Sequence, residues 1–256
     1  MSAQAQKACL EVQDATRRFG GLVAVNAVSF QVKPRSVTAV IGPNGAGKTT
    51  LFNLISGALS PSSGRVLFEG VDVTAEPPEA KAARGLIRTF QLVKLFPELS
   101  AVENVKVGCH LRTRGGLLAA LLRPRWARRM EAETEERARV LLELVGLAAT
   151  ADQPAAALSY GQARLLEVAR ALAAQPRLLM LDEPAAGLNA DESARLATLI
   201  RRIADDGTAV LLIEHDMHLV MNTADEVVVV DFGKKIAQGA PDRIRQDPAV
   251  IAAYLG

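Results

Sequence analysis

The sequence predicts an α/β fold, and three observations carry that prediction. Short, continuous apolar runs recur in the second half, at Leu178–Leu181, Ala209–Ile213 and Val227–Val230. They read as strands buried on both faces, which suits a parallel sheet covered by helices. Helical patterning lies between strands at Lys48–Ser56, Gln162–Ala174 and Ala190–Ala204, and strands alternating with helices are the mark of α/β architecture. Near the N-terminus the pattern differs, with β-like runs separated by turns rather than helices.

Taken in order, those first runs are Cys9–Asp14, Ala27–Val32, Val37–Ile41 and Arg65–Glu69, separated by turns such as Phe19-Gly20-Gly21 and Lys33-Pro34. From about Leu92 to Ala157 there is no convincing strand. The segment is rich in Ala, Leu, Arg and Glu and reads as a helical insertion. The expected organisation is therefore a core of residues 1–91 and 158–256, with a helical subdomain over 92–157. Within the insertion Arg112–Met130 is strongly basic around Leu117–Leu122, and Glu131–Glu136 is acidic. This pattern fits a helical hairpin with a solvated charged face, or a basic surface facing anionic lipid or a membrane partner.

Composition excludes several classes. With 256 residues, 49% hydrophobic and 23% charged, the chain can bury a sizeable core, so disorder, collagen-like repeats and disulfide scaffolds are set aside. Apolar runs such as Leu117–Leu122 and Val250–Leu255 fall far short of the ~20 residues that a spanning helix needs. A formal charge of +2 is too near balance for a dedicated nucleic-acid binder. Cys9 and Cys109 have no metal-ligand spacing and fit a reducing compartment as isolated thiols. Met1–Leu10 lacks a basic region followed by an apolar stretch, which makes the cytoplasm the expected location.

The strongest motif is Gly42-Pro43-Asn44-Gly45-Ala46-Gly47-Lys48-Thr49, a full match to GxxxxGK[ST] between a strand and a helix. Glycines let the backbone turn tightly and aim N–H groups at phosphate oxygens. The helix N-terminus adds its positive end, Lys48 a full charge, and Thr49 a hydroxyl for Mg²⁺. A second motif, Leu178-Leu-Met-Leu-Asp182-Glu183, ends a buried strand in two carboxylates, at the edge where open α/β sheets bind ligands. Asp182 is placed to hold Mg²⁺ through water and Glu183 to polarise an attacking water. Together the motifs define a P-loop NTPase.

Leu158-Ser159-Tyr160-Gly161-Gln162, just before a helix, resembles the LSGGQ signature of ABC-type ATPases. The resemblance runs through the whole chain in the family's order. Phe19 matches the adenine-stacking aromatic, Gln91 the Q-loop glutamine, Ala186-Gly-Leu-Asn189 the D-loop and His215 the switch histidine. It implies an ABC ATPase fold: a mixed sheet core, N-terminal antiparallel strands and an inserted helical subdomain. It further implies ATP and Mg²⁺ as ligands and a head-to-tail dimer with two composite sites. Phe19, Gly42–Thr50 (including Pro43, Asn44, Ala46 and Thr50) and Gln91 would hold one ATP. Ser159, Gly161 and Gln162 of the other subunit would donate to its γ-phosphate. Thr49, Gln91 and Asp182 would face the metal, while Glu183, His215 and Gln91 would act in hydrolysis. Two residues depart from the pattern: Tyr160 replaces a signature glycine, and Asn189 replaces the usual D-loop aspartate.

Arg18-Phe-Gly-Gly21, Arg88-Thr-Phe-Gln91, Ile213-Glu-His-Asp216 and Ala253-Tyr-Leu-Gly256 narrow the resemblance to ATP-binding subunits of branched-chain amino acid importers. Such a subunit is peripheral on the inner face of the membrane. It works with separate permeases, a second ATP-binding subunit (paralogue or copy) and, indirectly, a periplasmic solute-binding protein. Transporters of urea, short amides or lipopolysaccharide use similar motors, and a soluble non-transport ABC ATPase is the alternative from another class.

Overall fold

The glycine-rich loop leaves the middle of a parallel sheet whose strands are apolar from end to end. The computed structural model describes residues 7–89, 94–109 and 125–255. It opens with strands β1 (Leu10–Phe19), β2 (Leu22–Val32) and β3 (Val37–Ile41), then helix α1 (Lys48–Ser56). There follow β4 (Ser63–Phe68), β5 (Val71–Asp72), α2 (Pro78–Arg84) and β6 (Leu86–Arg88), and after them helices α3 (Ala101–Gly108), α4 (Arg125–Leu144) and α5 (Tyr160–Ala173). The chain then alternates through β7 (Leu178–Asp182), α6 (Ala190–Asp205), β8 (Ala209–Ile213), α7 (Met217–Thr223) and β9 (Glu226–Asp231). It closes with β10 (Lys234–Gly239), α8 (Pro241–Arg245) and α9 (Pro248–Leu255).

Contacts divide the chain into two units: Met1–Arg88 with Arg177–Gly256, and Thr89–Pro176. In the first unit a six-stranded sheet runs β10-β9-β3-β8-β7-β6 and a four-stranded antiparallel sheet runs β2-β1-β4-β5. Strand β3 pairs in parallel with β8 and β9, and β7 pairs in parallel with β8 and β6; only β10 is antiparallel to its neighbour. Every residue of β3, β7 and β8 is buried, as their unbroken apolar runs require. One apolar cluster joins Phe30, Val66 and Phe68 of the antiparallel sheet, Leu51, Phe52 and Ile55 of α1, and Val40, Leu211 and Val228 of the parallel sheet. The helix carrying Lys48 and Thr49 is thereby fixed by its buried side, and the α/β fold with antiparallel N-terminal strands is observed as expected.

In the second unit α3 packs on α4 and α5. A reciprocal cap holds its start: Ser100 Oγ accepts from the Glu103 amide while Glu103 accepts from the Ser100 amide. Buried Asn104 secures the preceding turn, its amide donating to the carbonyls of Phe96, Leu99 and Ser100. The unit is helical among its described residues, with one isolated bridge, Ser100 to Pro154. Because α5 packs with α3 and α4, the contact boundaries fall at 88/89 and 176/177, whereas the sequence places them at 91/92 and 157/158. Most of the basic stretch Arg112–Met130 lies outside the described residues. Among the described residues α4 carries the exposed ion pairs Arg129–Glu133, at the end of that stretch, and Arg139–Glu135, a solvated charged face. Among the described residues no helix is long and apolar enough to cross a membrane.

Candidate nucleotide-binding site

A cavity of about 540 Å³ in the first unit is lined by Phe19, Leu22–Ala24, Asn44–Thr50, Glu183, Phe232 and Gly233. It brings together residues from the end of β1, the β3–α1 loop and the end of β7. Glycine is obligatory at two places in that loop. A Cβ on Gly42 would lie 2.0 Å from the Val230 carbonyl oxygen, and one on Gly47, at φ 101°, would lie 2.3 Å from that of Ala24. Both carbonyls belong to neighbouring backbone, so no side-chain adjustment relieves the clash.

Lys48 is buried, and its Nζ donates to the carbonyls of Gly42 (2.7 Å) and Pro43 (2.8 Å). The charge is thus held inside the loop by acceptors that a phosphate can replace. Burial pulls the Lys48 ammonium below its ordinary value, with the Glu183 carboxylate opposing. Phe19 is half-exposed, and the Arg17 guanidinium sits 4.7 Å over its ring. Glu183 has φ 48°, unusual for a residue other than glycine, and its amide donates to the Ile213 carbonyl on the adjacent strand.

Beside it, Asp182 is almost wholly buried and forms a 2.7 Å ion pair with Arg88. The same guanidinium donates to Asn53 Oδ1 (2.7 Å) and Ser56 Oγ (3.0 Å), one turn apart on α1. Arg88 therefore ties the carboxylate motif to the helix that leaves the P-loop. Glu214 does similar work on the next strand. Fully buried, it accepts from the amides of Ala185 (2.8 Å), His215 (3.0 Å) and Asp216 (3.2 Å). This joins the loop after Glu183 to the backbone of His215. The His215 side chain is largely exposed at the end of β8 and lies outside the cavity lining. In the sequence Arg88 and Glu214 stand only as parts of motifs; the partners Asp182, Asn53 and Ser56 of Arg88 and Ala185 of Glu214 are distant in sequence, and a charged residue at the end of a short apolar strand is the one available signal.

The residues expected to face a metal have donors of a kind that suits magnesium. Thr49 at the cavity wall and the Asp182 carboxylate, with one oxygen taken by Arg88, are few and hard, which suits an ion that keeps its waters and takes phosphate oxygens. Among the described residues no cluster of three His, Cys, Asp or Glu is poised for a metal. Gln91, expected near metal and water, lies outside the described residues.

Ser159, Gly161 and Gln162 belong to the second unit. Ser159 caps α5: its Oγ accepts from the Gln162 amide (3.2 Å) while its own amide donates to Gln162 Oε1 (2.9 Å). Tyr160 turns back along the helix, its hydroxyl accepting from Arg164 at 2.9 Å. Asn189 caps α6 with Glu192 in the same reciprocal manner. The capping task needs only a side-chain oxygen, so Asn serves it as well as Asp.

A strand, P-loop and helix, with a carboxylate-ended strand further along the same parallel sheet, define a P-loop nucleotide hydrolase. The family description "ABC transporter" matches residues 25–186, and "Branched-chain amino acid ATP-binding cassette transporter" matches 234–256. The chain belongs to the ABC transporter ATP-binding family and is an ATP-binding cassette ATPase. It is similar to the high-affinity branched-chain amino acid transport ATP-binding protein BraF of Pseudomonas aeruginosa, with 47% identity covering 96% of this chain and 97% of that one. LivG of Escherichia coli K12, described in the same words, is 44% identical with the same coverage. A solved nucleotide-free ATP-binding cassette from an ABC transporter superposes with a TM-score of 0.84 at 33% identity, covering 97% of this chain and 99% of that one. A cassette in its ADP conformation gives 0.84 at 32%, with the same coverage.

Proposed function

We propose that this chain is the motor subunit of a branched-chain amino acid importer, binding Mg·ATP in the cavity between Phe19 and the P-loop. The observation that carries this reading is the single cavity lined by Phe19, Asn44–Thr50 and Glu183. Phe19 takes the adenine; the loop amides, Lys48 and Thr50 hold the phosphates. Thr49, Asp182 and Gln91 would hold Mg²⁺, which neutralises phosphate charge when bound. Glu183 accepts a proton from water as its oxygen attacks the γ-phosphorus and the β–γ bridging oxygen departs with ADP. His215 contacts the γ-phosphate.

The exposed start of α5 is the second half of a composite site. Ser159, Gly161 and Gln162 present a helix N-terminus to the γ-phosphate bound by a second ATP-binding subunit, a copy or a paralogue, in a head-to-tail dimer. ATP closes that dimer and hydrolysis releases it. Separate permeases use the motion, with a periplasmic binding protein delivering the solute. The subunit is peripheral on the cytoplasmic face and needs no nucleic acid. The test is co-expression with permease subunits of branched-chain amino acid importers. Co-purification, with leucine-stimulated ATPase activity once the binding protein is added, is expected. Failure to associate with any permease would refute the transport role.

A further inference from the structure

The two-residue turn between β9 and β10 is built from an unsuitable residue. Phe232 and Gly233 have φ 41° and 77°, the doubly left-handed geometry that Asn-Gly ordinarily supplies. An aromatic side chain there is strained, and at 87% exposed it gains nothing from burial. The turn itself is firmly held. The Gly233 amide donates to the Ala46 carbonyl in the P-loop (2.9 Å), and the Asn26 amide of β2 donates to the Gly233 carbonyl (2.8 Å). The backbone is thus bolted between the phosphate loop and the strand that follows Phe19, and Phe232 lines the same cavity as both.

That cavity has two chemistries. Lys48 and the loop amides suit phosphate, whereas Phe19, Leu22 and Phe232 offer exposed apolar surface. Phe19 has one ring face taken by Arg17, so a base on its other face has its far side open to water unless a second ring covers it. We propose that Phe232 is a second base-binding residue, closing with Phe19 on the purine ring of the bound nucleotide. This rests on the nucleotide site proposed above and adds the residue that completes its base pocket. Strain in the turn and exposure of the ring are then the cost of placing an aromatic where a flat apolar ligand binds.

The test separates base from phosphate. Phe232→Asn suits the turn and is expected to keep or raise the melting temperature. Titration calorimetry with Mg·ADP and with Mg·pyrophosphate then reads the two halves of the ligand. ADP affinity is expected to fall about 5- to 150-fold, the range for loss of one stacking contact, with pyrophosphate affinity within twofold. In Phe232→Trp, indole fluorescence should respond to ADP and not to pyrophosphate, read against Trp126. Unchanged ADP affinity in the Asn variant, or equal losses for both ligands, would overturn the proposal. Wild-type protein that binds neither ligand would remove the nucleotide site itself and the proposal with it.

Discussion

Replacing Arg88 by Met removes a buried cation whose partner cannot follow it into water. Asp182 is 3% exposed at its side chain and Arg88 14%, so the pair has little solvent to screen it. The substitution leaves the Asp182 charge without its counter-ion and deletes the hydrogen bonds to Asn53 and Ser56. Breaking a buried pair from one side costs about 3–5 kcal/mol, a large share of a typical 5–15 kcal/mol stability. At a urea m-value of about 3 kcal/mol/M, the midpoint falls by about 1–1.7 M. Met keeps an unbranched apolar stem in place of that of Arg88 and removes the guanidinium, which also sits 5.7 Å over the Phe52 ring, so the loss reports the cation rather than a void. The assay is urea unfolding followed by far-UV circular dichroism for Arg88→Met, Asp182→Asn and the double variant. Neutralising both sides removes the uncompensated charge, so the double variant should be more stable than Arg88→Met alone, with a coupling above about 1 kcal/mol. A single variant within about 1 kcal/mol of the parent, or strictly additive losses, would refute the reasoning.

Two further outcomes follow from the same backbone and burial. Gly47→Ala forces a Cβ onto the Ala24 carbonyl at a positive φ, so it should lower the melting temperature by about 4–8 °C, for roughly 2 kcal/mol of strain, and abolish ADP binding by calorimetry. Lys81, fully buried on α2, donates to the Ile55 carbonyl at 2.9 Å, and burial drives its ammonium down to about 8, opposed by Glu76 and Asp72. Between that value and the unfolded 10.5, the unfolded chain carries the extra proton, so this group makes stability rise with pH there. The unfolding free energy of the parent minus that of Lys81→Met should therefore increase from pH 7.5 to 10.5, by at most about 3 kcal/mol. A flat or falling difference would contradict it.

Much of the core was legible because burial on both faces leaves an unbroken apolar run. Ala209–Ile213 and Val37–Ile41 are strands with the expected limits, and α1 spans Lys48–Ser56 as expected. The antiparallel strands extend further than the sequence suggests: β1 and β2 meet through register shifts between Val12 and Arg18, which break the two-residue period. Strand β10, Lys-Lys-Ile-Ala-Gln-Gly, was invisible because an edge strand pairs on one side only and carries polar residues. Helix α5 begins at Tyr160, two residues before the expected Gln162, since Ser159 with Gln162 forms the cap; that S-x-x-Q spacing was readable. The candidate site was legible wherever chemistry fixes spacing, as in Gly42–Thr49. Phe232 was not, because an exposed aromatic in a turn has no periodicity and acquires meaning only when folding sets it beside Phe19 and the P-loop.

In the proposed mechanism the carboxylate of Glu183 drives hydrolysis in a site that holds ATP without it. Glu183→Gln keeps the shape of a residue with φ 48° and removes only the proton acceptor. One experiment reads both halves: the variant is incubated with Mg·ATP, and bound nucleotide, released phosphate and subunit stoichiometry are measured on the same sample by size exclusion with light scattering. The account predicts retained ATP, turnover reduced at least a hundredfold and a closed dimer that persists. Undiminished phosphate release would contradict it.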